Sequence, residues 1–215
     1  MNEERIFIQS VGIKLEGLQS IQKREASKFG IILCHPHPLY GGDMYNPVIE
    51  MASKVAQEEG ISTLRFNFRG VGNSEGAYGE GIGEMEDVKA AIKYFYSKLL
   101  DNNPYLILLG YSFGVRVGFP IAVHDDRIRG MVAIAPVVEF DDFEYLKRCK
   151  KEKLFIAGED DPYCPPNKLK ELFEKLDEPK RIFIIPGVDH FFFNQHKSIV
   201  QPLREFFNYL INNPT

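Results

Sequence analysis

The feature of this 215-residue chain that most constrains its fold is an alternation of short apolar runs with segments of helical periodicity. Parallel strands are covered on both faces and therefore form continuous Val/Ile/Leu runs, and their alternation with helices indicates βα units. The sequence predicts a mostly parallel sheet with helices on both faces. The predicted strands are FGIILC (29–34), ISTLRFNF (61–68), YLILLG (105–110), GMVAIA (130–135), KLFIAG (153–158) and RIFIIP (181–186).

Shorter alternating patterns around 5–10 and 14–21 predict antiparallel edge strands. Between the later strands, apolar residues recur at helical spacing over 85–99 and 169–176, and a final helix is expected over 198–210. Asn46, followed by proline, is a predicted helix N-cap, and Asn167 is a second one. No repeat or linker interrupts the pattern, so we expect one domain over 1–215.

The composition argues against some classes of function before any motif is considered. Hydrophobic residues make up 44% and charged residues 26% of the chain, as in ordinary globular proteins. The net charge of −4, without a basic cluster, argues against a nucleic-acid partner. An N-terminus without a secretory signal and the lack of a membrane-length apolar run predict a cytoplasmic protein with no membrane partner. Three cysteines without a CxxC pair fit a reducing compartment.

The segment Gly110-Tyr111-Ser112-Phe113-Gly114 matches G-x-S-x-G, with a predicted strand before it and a predicted helix after it. A nucleophile on such a sharp turn needs flanking glycines, because a Cβ there would clash. The turn would expose the Ser112 hydroxyl and leave the Phe113 backbone N–H free for an oxyanion. A helix-capping serine would produce the same local pattern, so the partners of Ser112 decide between the two interpretations.

A serine nucleophile needs a base, and the base needs a carboxylate to orient it. His190 follows the last predicted strand, whereas His124 lies at the far end of the helix that Ser112 begins and is excluded. After the strand that ends at Gly158 come Glu159, Asp160 and Asp161. Asp161 is the best placed of these acids, and Asp160 is the alternative.

The predicted order of catalytic groups is Ser112, Asp161, His190, each just beyond a strand. In open α/β sheets, catalytic groups gather at the carboxyl ends of strands. The segments HPHPLYGG (35–42), RFNFRGVGNSEG (65–76), GYSFG, GEDDPY and GVDHFF resemble those of small lidless bacterial serine hydrolases of the α/β-hydrolase superfamily, related to the dienelactone-hydrolase-like group. Dienelactone hydrolases proper use a cysteine nucleophile where this chain has serine, so their substrate is not carried over.

The resemblance implies an α/β-hydrolase fold of about eight mostly parallel strands, without a large lid domain. It also implies that the second oxyanion donor comes from the loop after Cys34. Pro36 and Pro38 have no N–H. We therefore expect the backbone N–H of His37 to donate, with Leu39 and Tyr40 next in order.

Two other motifs resemble cofactor-binding sites, but their sequence context argues against that function. The histidines of HPHP lack a nearby third ligand at metal spacing, so no metal site is predicted, and His35 is assigned to packing or hydrogen bonding in its loop. The G-x-G of GVGNSEG (70–76) opens no helix and is assigned to a structural loop that Arg65 and Arg69 anchor. No cofactor is expected.

The expected substrate is a small acyl compound. Tyr40, Tyr111 and Phe191 are predicted to line its apolar pocket, and the short connection over 136–152, where larger relatives insert a lid, favours small esters over lipids. A peptidase or amidase with the same triad, or a non-catalytic binding protein on this fold, remains the alternative. The oligomeric state stays open, with a homodimer among the options.

Overall fold

A computed structural model, which describes residues 3–22 and 28–213, centres on an eight-stranded sheet. The strands are β1 (Glu4–Ser10), β2 (Ile13–Ser20), β3 (Phe29–Cys34), β4 (Ser62–Phe66), β5 (Tyr105–Tyr111), β6 (Ile128–Ile134), β7 (Glu152–Gly158) and β8 (Lys180–Ile185). Their order across the sheet is β1-β2-β4-β3-β5-β6-β7-β8. Strands β3 to β8 run parallel, whereas β1 pairs with β2, and β2 with β4, in antiparallel fashion. The predicted fold class is confirmed, and both N-terminal segments form antiparallel strands. Of these two, only β1 lies at the edge; the prediction that β2 is also an edge strand is wrong, because β2 pairs with β1 on one side and β4 on the other.

Five α-helices cover the sheet within the described ranges: α1 (Pro47–Glu58), α2 (Ile82–Tyr96), α3 (Phe113–His124), α4 (Pro166–Lys175) and α5 (Val200–Asn212). Asn46 caps α1 as predicted, since its Oδ1 accepts a hydrogen bond from the Val48 N–H at 3.0 Å. The cap predicted at Asn167 is wrong, because α4 already begins at Pro166 and Pro165 occupies the N-cap position. Proline's fixed φ suits the first helical position, so the helix begins one residue before Asn167.

Each face of the sheet has its own apolar layer. Along β5, Leu106 and Leu108 pack on the face covered by α2, α3 and α4, whereas Ile107 and Leu109 pack on the face covered by α1 and α5. Successive side chains of a strand point to opposite faces, so an uninterrupted apolar run fills both layers. This burial explains why the central strands lack the alternation seen near the N-terminus.

None of the helices in the described ranges has the length and hydropathy of a membrane-spanning segment. The termini of the predicted single domain, residues 1–2 and 214–215, lie outside the described residues. That the chain is one domain stays a prediction.

The loop after β4 is held by buried carboxylates rather than by both predicted arginines. Glu16 on β2 accepts hydrogen bonds from the Asn73 backbone N–H at 3.0 Å and the Asn73 side chain at 2.9 Å. Arg65 instead binds the Met44 carbonyl at 2.8 Å and lies away from this loop. Its assignment as an anchor is wrong, because its position within β4 directs it toward the start of α1.

Asp87 on α2 joins three parts of the chain. Its fully buried carboxylate accepts hydrogen bonds from the Ser10 hydroxyl at 2.9 Å, the Arg69 backbone N–H at 3.0 Å and the Arg69 guanidinium at 2.7 Å. Strand β1, the loop after β4 and α2 therefore meet at one carboxylate. A buried pair of this kind resists the removal of either partner, because the other is left uncompensated.

We predict that Asp87→Ala lowers the free energy of unfolding by about 3–5 kcal/mol, because Arg69 is left without its counter-ion. Glu86→Ala is the matched control, since Glu86 is the neighbouring residue and its ion pair with Lys89 is exposed. The control should change the free energy of unfolding by less than about 1 kcal/mol. Urea unfolding measures both values, and equal effects would contradict the role of Asp87.

Candidate active site

Ser112 lies in a sharp turn between β5, which ends at Tyr111, and α3, which begins at Phe113. Its backbone has φ 52° and ψ −112°, a conformation that residues with a side chain rarely adopt. The Ser112 N–H donates to the Ile134 carbonyl of β6 at 2.9 Å, which helps to hold this strained residue against the sheet. The hydroxyl is thereby directed away from the sheet, at the carboxyl end of its strands.

The flanking glycines are required by close backbone contacts. A Cβ at Gly110 would collide with the backbone nitrogen of Val115, and a Cβ at Gly114 would collide with the carbonyl oxygen of Cys34. The first turn of α3 therefore packs directly against the ends of β3 and β5. Any larger residue would push α3 away and move Ser112 with it.

A continuous chain of hydrogen bonds joins Ser112, His190 and Asp161. The Ser112 Oγ lies 2.9 Å from the His190 Nε2, and the His190 Nδ1 lies 2.8 Å from the Asp161 Oδ2. Both His190 and Asp161 are buried. A carboxylate accepts the hydrogen on Nδ1, so Nε2 is left with its lone pair toward the serine hydroxyl. This arrangement can remove a proton from Ser112.

The structure distinguishes between the neighbouring aspartates. The second oxygen of Asp161 accepts hydrogen bonds from the Tyr163 N–H at 2.8 Å and the Cys164 N–H at 2.9 Å, so the carboxylate is fixed in orientation. Asp160 has an exposed side chain, and its backbone N–H donates to the Val188 carbonyl. His190 therefore meets Asp161 and not Asp160.

Aromatic side chains surround His190. The Tyr111 hydroxyl donates to the His190 carbonyl at 2.8 Å, and burial raises the pKa of this phenol, which keeps it a hydrogen donor. The ring of Tyr163 lies 4.8 Å and the ring of Phe191 5.4 Å from the imidazole, both edge to face. These contacts help to fix the plane of the imidazole.

Two backbone N–H groups beside Ser112 are available to an anion. No hydrogen bond within the described part of the chain uses the N–H of Phe113 or of His37, and both residues line the cavity at Ser112. The N–H of Leu39 donates to the His37 ring at 3.2 Å, and that of Tyr40 donates to the His37 carbonyl at 3.1 Å. Of the predicted donors in this loop, only His37 has a free N–H.

His35 holds the loop that carries His37. It is fully buried; its Nε2 accepts from the Phe68 N–H at 3.0 Å, and its Nδ1 donates to the Pro36 carbonyl at 2.7 Å. Burial lowers the pKa of His35 to about 4, with the bond to Pro36 opposing this shift. The neutral imidazole is therefore part of the loop structure.

The hydroxyl of Ser112 faces a cavity of about 640 Å³, a volume suited to a small molecule. Each predicted pocket residue, Tyr40, Tyr111 and Phe191, lines it. The sequence interpretation missed several other lining residues, and four of these carry a charged or aromatic side chain: Arg116, Phe140, Asp141 and Tyr163.

For two of these four residues, the sequence offered a reason to expect them near Ser112 or Asp161. Arg116 stands four residues after Ser112, and helical spacing places such pairs on one face. Tyr163 stands two residues after Asp161, in the same loop. Phe140 and Asp141 belong to the connection between β6 and β7, whose path no sequence pattern indicates.

Comparison with known proteins bears on what this site does. The chain is 34% identical over 172 residues to the uncharacterized protein RP471 of Rickettsia prowazekii, which covers 75% of this chain and 71% of that protein. The solved structure of an α/β serine hydrolase homologue from Coxiella burnetii is 31% identical, covers 95% of this chain and 97% of that one, and superposes with a TM-score of 0.86.

This chain belongs to the α/β-hydrolase superfamily. A Xanthomonas campestris member described as an α/β serine hydrolase without a lid is 26% identical, covers 97% of this chain and 95% of that one, and has a TM-score of 0.87. The family described as PhoPQ-activated pathogenicity-related protein matches residues 119–215, a segment that begins after Ser112. The protein is thus a hydrolase of this superfamily.

We predict that the stability of this hydrolase falls between pH 6.5 and 4 because of His35. Its folded pKa of about 4 lies below the ordinary histidine pKa of 6.5, so between these pH values the unfolded chain binds a proton that the folded chain does not. The neutral His35 therefore contributes about 3 kcal/mol to the free energy of unfolding above pH 6.5, and this contribution is lost as the pH falls toward 4.

The measurement is the free energy of unfolding from pH 4 to 7 for the wild type and His35→Gln. The variant should be less stable at pH 7, and the difference should shrink toward pH 4. A difference that stays constant over this range would refute the assignment of the pH dependence to His35.

Proposed function

We propose that this hydrolase cleaves a small carboxylic ester through a Ser112-His190-Asp161 triad and an acyl-enzyme intermediate. The observation that supports it is the unbroken chain of hydrogen bonds, at 2.9 Å and 2.8 Å, which ends at a serine hydroxyl in a cavity. The strained turn at Ser112 is then the nucleophile elbow of the superfamily.

In the first half of the reaction, the His190 Nε2 takes the hydroxyl proton as the Ser112 Oγ attacks the ester carbonyl carbon. The carbonyl oxygen becomes an oxyanion, which the free N–H groups of Phe113 and His37 stabilise. One such donor is worth about 10²–10³ in rate. His190 then gives its proton to the leaving alcohol, and the acyl group stays on Ser112.

In the second half, His190 takes a proton from water, and the resulting hydroxide attacks the acyl carbon. Ser112 leaves with the proton from His190, and the acid is released. Asp161 keeps the proton of His190 on Nδ1 in both halves and stabilises the imidazolium. Its two backbone hydrogen bonds prevent the carboxylate from rotating away.

Esters of modest size suit the cavity. The connection over 135–151 forms one wall of the cavity with Val137, Phe140 and Asp141 rather than a lid domain above it. Amides are the competing substrate class, because the same triad can cleave them.

We predict that a fluorophosphonate probe labels the wild type on Ser112. Ser112→Ala should lose all labelling, and His190→Ala nearly all, because the hydroxyl then has no base. Intact-protein mass spectrometry measures the adduct. Labelling that persists in Ser112→Ala would overturn the assignment of the nucleophile.

The same preparations separate esters from amides. We expect hydrolysis of short p-nitrophenyl esters and much slower release of p-nitroaniline from aminoacyl p-nitroanilides. A labelled enzyme that prefers the anilides would be an amidase. An unlabelled wild type would be a binding protein on this fold.

We predict that Asp161→Asn lowers kcat by about 10³–10⁴, because an amide at this position favours the wrong imidazole tautomer. Asp160→Asn is the matched control and should stay within about twofold of the wild type, since its side chain is exposed. Steady-state kinetics on one short ester compares the two. A larger loss in Asp160→Asn would assign the acid to Asp160 instead.

A further inference from the structure

Arg116 places a positive charge in the wall of the cavity that holds Ser112. Ser112 is the N-cap of α3, Arg116 lies in the first turn of that helix, and both residues line the same cavity. The side chain of Arg116 is 61% exposed. Its charge also acts on His37 in the neighbouring loop. The pKa of His37 is lowered mainly by burial and, to a smaller extent, by the positive charge of Arg116.

The guanidinium of Arg116 makes no hydrogen bond to any residue that the structure describes. Its nearest charged partner is Asp141, with 3.5 Å between the Arg116 Nε and the Asp141 Oδ1. The two terminal nitrogens of the guanidinium are therefore free to donate. A pair of parallel N–H donors is the geometry that binds a carboxylate at both oxygens.

Asp141 is a weak counter-ion for this arginine. Its side chain is only 13% exposed, and its buried Oδ2 has no hydrogen-bond partner among the described residues. Burial raises the pKa of Asp141 more than the nearby Arg116 lowers it. The ion pair consequently leaves much of the charge of Arg116 uncompensated on the cavity side.

We propose that Arg116 is a specificity-determining residue that binds a carboxylate carried by the substrate. This inference rests on the proposed esterase function. It assigns the substrate to one chemical class, the half-esters of short dicarboxylic acids. The acyl carbonyl lies at Ser112, and the free carboxylate lies about one helical turn away, at Arg116. The rings of Phe140 and Tyr163, on the cavity wall, contact the carbon chain between them.

A purely structural role for the pair is the competing explanation. Arg116 and Asp141 would then only tie the β6–β7 connection to α3. That connection already has other attachments, since the Glu139 N–H donates to the Tyr163 carbonyl and the Glu139 carboxylate pairs with Lys168. An ion pair of 3.5 Å whose arginine is largely exposed to solvent adds little to such a framework.

The kinetic test compares ethyl hydrogen glutarate with ethyl pentanoate, which has the same acyl length but no charge. Arg116→Gln should lower the ratio of kcat/KM for the charged ester to that for the neutral ester by about 10- to 100-fold. Asp141→Asn removes a competing negative charge, so the ratio should stay the same or rise. Arg148→Gln removes the same charge from an exposed arginine outside this cavity and should leave the ratio unchanged.

The structural explanation predicts a different result. If the pair only tethers the connection, Arg116→Gln and Asp141→Asn should impair both esters alike, and the ratio should not move. That outcome overturns the proposal, as does a fall in the ratio for Asp141→Asn equal to that for Arg116→Gln.

A binding experiment separates this inference from the proposed catalysis. Isothermal titration of Ser112→Ala with ethyl hydrogen glutarate should show binding that weakens about 10- to 100-fold when Arg116→Gln is added. Absent binding, or binding unaffected by the second substitution, overturns the proposal. If the wild type is not labelled by fluorophosphonate and cleaves neither ester, the proposed function fails, and this titration alone decides the role of Arg116.

Discussion

The contact between the start of α3 and the ends of β3 and β5 determines the geometry of the whole site. Gly110 and Gly114 let backbone meet backbone there, and no side chain could be accommodated. The helix is thereby fixed in position against the sheet, and Ser112 is held at a positive φ. The hydroxyl of Ser112, the N–H of Phe113 and the guanidinium of Arg116 all lie at this turn or in the first turn of α3, so their spacing follows from a single packing contact.

The parallel strands were predictable because their burial on both faces leaves a strong local signal. Each of the six apolar runs forms a strand whose ends lie within two residues of the prediction. The sites that follow the strands were predictable for a related reason, since β5, β7 and β8 all end at the same edge. The order of the elements alone therefore predicted that Ser112 and His190 lie close together, and their side chains meet at 2.9 Å.

What remained open depended on hydrogen bonds between distant parts of the chain. Asp160 and Asp161 are adjacent in one loop, and only the bonds of Asp161 to His190 and to the Cys164 N–H show which one turns inward. Asp141 and Glu16 carry no local pattern, because their partners are remote in sequence. The error at Arg65 has the same origin, since a strand residue can bind groups on either side of the sheet.

The cavity wall formed by the β6–β7 connection has a consequence for how the protein can change. The proposed catalytic groups stand on turns fixed by the sheet, whereas Val137, Phe140 and Asp141 stand on the connection between β6 and β7, which contributes none of these groups. Exchange of this segment would alter what the cavity admits and leave the hydrogen-bonded chain from Ser112 to Asp161 in place. Part of the selectivity thus resides in a segment that can diverge under selection while the hydrogen-bonded chain stays constant.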